Sequence, residues 1–218
     1  MTNYILEALA VPTLSKNKPK QVIILCHGYG GNGKDISTLA INWQRFLPEA
    51  IFLCPDAPEV CSVNPQGYQW FDLSSDNQEI ILEKSLVDEE KLSQFIDQAL
   101  NNLQLSSKNL ALVGFSQGCM MSLQVGLKKA FSTNCLVGYS GKIINKNHLL
   151  TNINSKPKIF LMHGADDTIV PATHLLEAKE YLNNRGIKIK TKIFKNCDHK
   201  ISVEGISLGL SFLKKNLL

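Results

Sequence analysis

The hydrophobic pattern of the chain alternates between short apolar runs and longer segments with helical periodicity. Gln21–Cys26 is an almost continuous run of β-branched and other apolar residues, which is typical of a strand buried on both faces of a sheet. Residues 86–103 place apolar side chains at helical spacings, which predicts an amphipathic helix. The same patterns predict other strands at 4–11, 51–54, 110–114, 136–140, 158–163 and 190–194, and other helices at 35–46, 119–129, 172–184 and 203–217.

Strands and helices therefore alternate along most of the chain. This order predicts an α/β fold with right-handed βαβ units, a mainly parallel central sheet and helices on both of its faces, without a large cap domain. Residues 59–76 interrupt the alternation with proline, glycine, Trp70 and Phe71, which favours an ordered loop that carries aromatic side chains. At 218 residues, with no linker or internal repeat, the chain is expected to form a single domain over residues 1–218.

Charge and cysteine content narrow the class of protein. The net charge of +4 is small and the lysines are scattered, so nucleic acid is not an expected partner. The apolar runs are strand-sized and the first residues lack a basic and apolar leader, so we expect no membrane insertion and predict a cytoplasmic location. Six cysteines without C-x-x-C spacing are expected to be buried free thiols, and no metal or other cofactor is expected. A monomer and a homodimer are both compatible with the sequence.

A glycine-flanked serine follows one of the predicted strands. Residues 110–114 lead into Gly-Phe-Ser-Gln-Gly at 114–118, and the helical segment 119–129 comes next. Strand, sharp turn and helix in this order are typical of a nucleophile elbow, in which Gly114 and Gly118 let strand and helix converge around Ser116. A serine hydroxyl is a weak nucleophile alone, so this interpretation requires a base, an acid and oxyanion donors elsewhere. An ordinary strand-to-helix turn is the alternative.

Acidic and basic side chains follow two later strands. Asp166 and Asp167 come directly after the strand at 158–163, and His199 follows the last strand. Because the carboxyl ends of parallel strands meet at one edge of a sheet, these groups can lie near the serine, and the chain order Ser, Asp, His is that of α/β-hydrolases. His27 and His163 each end a strand before a glycine, where an imidazole more often packs or binds backbone. His199 is therefore the predicted base.

The glycine-rich segment 28–34 fits three kinds of site. Its glycine spacing matches the dinucleotide-binding pattern and nearly matches a phosphate-binding P-loop. However, Asp35 stands where a P-loop needs serine or threonine, and its charge would repel phosphate. The dinucleotide pattern also expects a helix that starts inside the glycines and an acid after the next strand. A loop whose N–H groups face an oxyanion is the third and favoured interpretation.

Taken together, the motifs resemble those of the acyl-protein thioesterase and phospholipase/carboxylesterase family of small α/β-hydrolases. The resemblance is carried, in family order, by HGYGGNGKD, CPDAP, QWFDL, GFSQG, HGADDTIVP and DHKIS, which span residues 27–202. It implies Ser116 as nucleophile, His199 as base and Asp167 as acid, since Asp167 stands four residues before the proline of the IVP segment. It also implies oxyanion donation by the backbone N–H groups of Tyr29 and Gln117.

The predicted function is hydrolysis of carboxylic esters or thioesters of small-to-medium acyl groups through an acyl-enzyme. The predicted substrate is a small-molecule ester or thioester, with lipids and acylated proteins as further candidates. Trp70, Phe71 and Ile143, together with Tyr29, are the residues expected to contact the acyl group. Three alternatives stay open: a catalytically silent binding protein, a nucleotide-binding protein, and a dienelactone-type enzyme. The last class normally uses a cysteine at the elbow, and Cys119 lies a turn beyond it.

Overall fold

The structure, a computed structural model, describes residues 4–73 and 77–218, apart from the side chain of Gln78. These residues form a central sheet, a small hairpin and flanking helices. The strands are β1 (Ala8–Val11), β2 (Gln21–Cys26), β3 (Ala50–Pro55), β4 (Glu59–Cys61), β5 (Asn64–Gln69), β6 (Leu110–Phe115), β7 (Cys135–Tyr139), β8 (Lys158–Gly164) and β9 (Ile189–Phe194). The helices are α1 (Gly33–Gln44), α2 (Gln78–Leu103), α3 (Gln117–Lys128), α4 (Lys146–Leu150), α5 (Thr173–Asn183) and α6 (Val203–Leu217), and a short 3₁₀ turn covers Ser107–Asn109.

The sheet has the mainly parallel arrangement that the alternating pattern predicts. Within the described residues it contains seven strands in the order β1-β3-β2-β6-β7-β8-β9. β1 runs antiparallel to β3, and every other pairing in this sheet is parallel. β6 therefore lies at the centre, with β2 on one side and β7 on the other. Loops that follow β2, β6, β7, β8 and β9 consequently meet at one edge of the sheet.

Side chains that alternate along the central strands build one core on each face of the sheet. Val22 and Ile24 of β2 pack toward α2, α3 and α5, whereas Ile23 and Leu25 pack toward α1 and α6. All six residues of β2 are buried, which confirms the two-sided burial expected from its apolar run. Among the described residues, no separate cap domain covers the edge of the sheet where these loops meet, and no helix is long and apolar enough to cross a membrane.

The prediction of an irregular loop at residues 59–76 is partly wrong. It contains the antiparallel hairpin β4–β5, whose register shifts between Val60 and Cys61. Proline, glycine and polar residues in β5 hide the alternation by which a strand is usually identified. The backbone of Gly31 also bridges to Tyr68, so the hairpin is tied to the glycine-rich segment. The remainder of the predicted loop at residues 74–76 lies outside the described residues.

Two helix starts also differ from the sequence prediction. α1 begins at Gly33, two residues before the predicted start, because Asn32 caps it and Asp35 completes a capping box. α2 begins at Gln78, eight residues before the predicted start, and Asn77 caps it by accepting a hydrogen bond from Glu79 N–H. Charged residues in the first turns of α2 interrupt the apolar periodicity, which is why the sequence predicts a later start. The short helix α4 was not predicted.

The core on the α6 face gives a direct stability prediction. Phe160 is fully buried in β8, and its ring lies 5.4 Å from that of Phe212, measured between centroids. Phe160→Ala should lower the free energy of unfolding by about 3–5 kcal/mol because it removes buried contacts and leaves a cavity. Ile41→Ala, at an exposed position of α1, is the control and should change it by less than about 0.5 kcal/mol. Urea denaturation of both variants tests this, and equal losses would contradict it.

Candidate active site

A strained turn after β6 presents Ser116 at the edge of the sheet. Ser116 has φ 52° and ψ −119°, a left-handed conformation that few residues other than glycine adopt. The turn is closely packed: a Cβ at Gly118 would lie 2.2 Å from the Cys26 carbonyl oxygen, and one at Gly114 would lie 2.3 Å from the Gly118 carbonyl oxygen. Both glycines are therefore required by the close approach of the strand, the helix and the loop after β2.

Ser116, His199 and Asp167 form one continuous hydrogen-bonded chain. The Ser116 Oγ lies 2.9 Å from His199 Nε2. The other ring nitrogen, His199 Nδ1, lies 2.8 Å from Asp167 Oδ2. The ring of Phe115 packs against the imidazole, with centroids 5.0 Å apart, and limits its orientation. The three loops that carry these residues follow β6, β9 and β8, as the sequence predicts.

The carboxylate of Asp167 is fixed on both of its oxygens. Oδ1 accepts hydrogen bonds from the N–H groups of Ile169 and Val170 at 3.0 and 2.8 Å, and Oδ2 faces His199. Burial opposes ionisation, but the hydrogen bonds from Val170 and His199 outweigh it and lower the pKa of Asp167 below its usual value. Asp166 is exposed, and its N–H donates to the Cys197 carbonyl oxygen. The geometry thus favours Asp167 over its neighbour.

His27 and His163 are buried and bind backbone, as expected from their positions. His27 Nδ1–H donates to the Gly28 carbonyl oxygen at 2.7 Å, and Nε2 accepts from Ala57 N–H at 2.9 Å. Burial lowers the pKa of His27, although its hydrogen bond to Gly28 acts in the opposite direction. His163 Nε2–H donates to the Val170 carbonyl oxygen, and burial lowers its pKa as well. Both rings support loops that carry site residues.

Two backbone N–H groups beside Ser116 have no hydrogen-bond acceptor among the described residues. They belong to Tyr29, in the loop after β2, and Gln117, the first residue of α3. The loop around Tyr29 is held by hydrogen bonds at 3.0 Å from Gly31 N–H to the Gly28 carbonyl oxygen and at 2.9 Å from Gly30 N–H to the Tyr68 carbonyl oxygen. These contacts fix the backbone without using the Tyr29 N–H.

The Gln117 side chain connects the elbow to the segment after β5. Its Oε1 accepts from Trp70 N–H at 2.8 Å, and its Nε2 donates to the Phe71 carbonyl oxygen at 2.6 Å. The Trp70 indole N–H donates to the His27 carbonyl oxygen at 3.0 Å. Sequence reasoning identified the backbone of Gln117 but not this role of its buried amide. The QWF and GFSQG motifs are thus parts of one hydrogen-bonded network.

An apolar cavity of about 310 Å³ opens beside Ser116 and His199. Of the predicted acyl-contacting residues, Tyr29 and Phe71 line it. The prediction is wrong for Trp70, which is fully buried beneath the site, and for Ile143, whose neighbour Ile144 lines the cavity instead. The full lining consists of Tyr29, Phe71, Leu73, Ile81, Phe115, Ser116, Gln117, Met120, Lys142, Ile144, Ile169, Val170 and His199.

A second cavity lies on the α1 side of the same pair of residues. It has a volume of about 360 Å³ and shares Tyr29, Phe115 and His199 with the first. Asp35 and Lys200 bring opposite charges to its wall. Tyr29, Phe115 and His199 therefore stand between two cavities, the second of which has charged side chains of both signs in its wall.

The glycine-rich segment is not arranged to hold phosphate. The N-terminus of α1 lies at Gly33, inside the glycines, but Asp56 Oδ1 already accepts from Gly33 N–H at 2.6 Å. Asp35 Oδ2 accepts from Asn32 N–H at 3.2 Å. Two carboxylates thus occupy the place and the hydrogen bonds that a phosphate group would need. Among the described residues, no group of His, Cys, Asp or Glu side chains is placed to bind a metal ion.

Cys119 packs inside the elbow and is no rival nucleophile. Its sulfur would lie 2.4 Å from a Cβ at Gly138 and 2.5 Å from one at Gly141, so it fills the space that those glycines leave. Burial raises the pKa of the Cys119 thiol to about 12, which keeps it protonated. This contradicts a dienelactone-type mechanism that uses this cysteine.

Comparison with known proteins agrees with this geometry. The phospholipase/carboxylesterase profile matches residues 9–217. The chain belongs to the phospholipase/carboxylesterase family. The crystal structure of esterase PE8 superposes with a TM-score of 0.93 at 33% identity and covers 97% of this chain and 99% of its own. Membership of this family confirms the predicted α/β-hydrolase fold and the predicted class of carboxylic ester hydrolase.

Curated relatives in the family have related names. Acyl-protein thioesterase 1 of Gibberella zeae is 28% identical, and the match covers 89% of this chain and 90% of the relative. Esterase YpfH of Escherichia coli is 24% identical, with 92% of this chain and 85% of the relative covered. Ester and thioester hydrolysis are both represented among these proteins.

The buried imidazole of His27 predicts how stability depends on pH. An unfolded histidine takes up a proton near pH 6.5, whereas burial lowers the pKa of folded His27, whose Nε2 already accepts a hydrogen bond from Ala57 N–H. Stability should therefore decline as pH falls below about 6.5, since the unfolded chain binds more protons. His27→Asn should flatten this decline, measured as the free energy of urea unfolding between pH 7 and 5. His163→Asn should flatten it too; unchanged slopes in both variants would contradict the prediction.

Proposed function

We propose that Ser116, His199 and Asp167 perform ester and thioester hydrolysis in this chain as nucleophile, base and orienting acid. His199 Nε2 takes the Ser116 proton as Oγ attacks the substrate carbonyl, then donates that proton to the leaving group. Asp167 holds Nδ1 protonated and stabilises the imidazolium. Water attacks the acyl-enzyme by the same route, with His199 again as base. The product acid leaves and Ser116 regains its proton.

The observation that carries this proposal is the unbroken contact from Ser116 Oγ through His199 to Asp167, at 2.9 and 2.8 Å. Both distances lie within hydrogen-bonding range, as proton transfer between nucleophile and base requires. A catalytically silent binding protein would have no need for a strained serine aligned with both groups. Covalent labelling of Ser116 by a fluorophosphonate distinguishes the two functions.

The N–H groups of Tyr29 and Gln117 are the proposed donors to the oxyanion. Both residues line the same cavity as Ser116, and the backbone hydrogen bonds of the Tyr29 loop do not use the Tyr29 N–H. A preorganised donor of this kind contributes about 3 kcal/mol to the transition state in comparable sites. The Gln117 side chain and His27 contribute indirectly, because they fix the two loops.

The apolar cavity is the proposed binding site of the acyl group. Phe71, Met120 and Ile144 give it apolar walls, and its volume suits small-to-medium chains. The second cavity, beside His199, is then available to the leaving group, close to the nitrogen that protonates it. Lipids and acylated proteins are candidate sources of such acyl groups, as the names of the thioesterase relatives suggest.

A cytoplasmic location is part of the proposal. All six cysteines are buried and unpaired. Free thiols of this kind persist in reducing compartments and are less common in secreted proteins, where disulfides form.

Loss of the nucleophile gives the direct test. Ser116→Ala should lower turnover of para-nitrophenyl butyrate by about 10⁶-fold, because attack by the hydroxyl is lost. Circular dichroism and the melting temperature should show a folded variant. Cys119→Ala is the comparison and should keep most of the activity. Substantial turnover by Ser116→Ala, or its labelling by a fluorophosphonate, would refute the assigned nucleophile.

The rim of the acyl cavity gives a second test. Ile169 lines the cavity although 69% of it is exposed, so it can be changed with little effect on stability. Ile169→Ser should lower kcat/KM for hexanoate relative to acetate by about 3- to 10-fold, since each buried methylene contributes about 0.8 kcal/mol. Leu176→Ser, which is exposed but does not line the cavity, should leave the ratio unchanged. Equal ratios in all three proteins would exclude this cavity as the acyl site.

A further inference from the structure

One charged side chain interrupts the apolar wall of the acyl cavity. Lys142 lines the cavity between residues that are otherwise apolar or belong to the reacting machinery, and it is half-buried. No aspartate or glutamate lines this cavity among the described residues. Lys142 forms no ion pair with any of the described residues, in contrast to several other lysines. The wall therefore carries a positive charge without a protein counter-ion in the described part of the chain.

The other polar side chains of the wall are already engaged. The Tyr29 hydroxyl lies 2.8 Å from Ser62 Oγ. Both ends of the Gln117 amide bind backbone of the segment after β5. Ser116 and His199 bind each other. The ammonium of Lys142 is thus the group left to meet a polar part of a bound substrate.

The position of Lys142 relates it to the acyl group. Lys142 follows β7, on the opposite side of the nucleophile strand β6 from β2, whose loop carries Tyr29. The loop after β7 therefore borders the cavity proposed for the acyl group, from the other side of β6 than the loop of Tyr29. Ile144 and Val170 line that region together with Lys142.

Charge decides which acyl groups benefit from this arrangement. A carboxylate that enters an apolar cavity loses hydration, which is costly unless a cation or several donors replace the water. An ammonium in partly dehydrated surroundings has the opposite charge and can donate a charge-assisted hydrogen bond to the carboxylate. A neutral acyl chain gains nothing from it.

We infer that Lys142 selects substrates whose acyl group carries an anionic end, such as monoesters or monothioesters of dicarboxylic acids. The inference rests on the proposed function, because it concerns the same cavity and the same acyl-enzyme. It makes Lys142 a specificity-determining residue that binds the substrate at a point away from the reacting carbonyl.

The test compares two esters that differ in one charge. The para-nitrophenyl monoester of glutaric acid and para-nitrophenyl valerate have acyl chains of equal carbon number. Lys142→Met should lower kcat/KM for the glutarate relative to the valerate by about tenfold, as expected for one charge-assisted hydrogen bond. Lys142→Arg should retain most of the preference. Lys146→Met is the matched control, since Lys146 pairs with Glu177 and does not line the cavity.

Each outcome has a distinct meaning. A ratio unchanged in Lys142→Met, with valerate still hydrolysed, would refute the inference and leave the proposed function intact; Lys142 would then only pack its stem along the wall. A wild-type protein that hydrolyses neither ester would refute the proposed function itself. A valerate ester with an anionic leaving group, made from para-hydroxybenzoate, tests the direction of binding. If Lys142→Met affected that ester and spared the glutarate, the assignment to the acyl group would be overturned.

Discussion

The active site depends on a point where three backbone segments meet without room for a side chain. β6, the start of α3 and the loop after β2 converge at Gly114 and Gly118, where an added Cβ would lie less than 2.5 Å from a carbonyl oxygen. This convergence holds Ser116 in its left-handed conformation, which would otherwise relax. It also places the loop of Tyr29 beside the serine. The proposed nucleophile and the proposed oxyanion donors are thus positioned by the same packing.

A network of buried hydrogen bonds fixes the positions of these segments relative to one another. The Gln117 amide holds the segment after β5, the Trp70 indole reaches the His27 carbonyl, and the His27 ring reaches Ala57. Each of these groups is buried, so the loss of one partner would leave another unsatisfied. The network explains why several residues of the family motifs lie beneath the site and not in its wall. They position the groups that react.

Sequence reasoning identified the features that depend on local pattern. It failed where tertiary contacts determine which side chain faces the cavity. The run at β2 and the glycine-flanked Ser116 are local signals, and the placement of His199 and Asp167 follows from strand ends. Trp70 was expected in the acyl wall because an aromatic residue in a loop gives no sign of its burial. Ile143 and Ile144 are adjacent and outside any periodic element, so the sequence could not show which one faces the cavity. The start of α1 was predicted too late, although Asn32 and Asp35 have the spacing of a capping box.

The last strand of the sheet has a consequence for how copies of the chain can associate. Within residues 4–73 and 77–218, β9 pairs with a strand on one side only, so its other edge presents unpaired backbone groups. Lysines recur along it: Lys190 lies over the Phe160 ring and Lys192 pairs with Glu204. A second molecule that extended the sheet here would bring its own β9 and the same ammonium groups into close repulsion. Lysines on an edge strand therefore disfavour the addition of a second strand here.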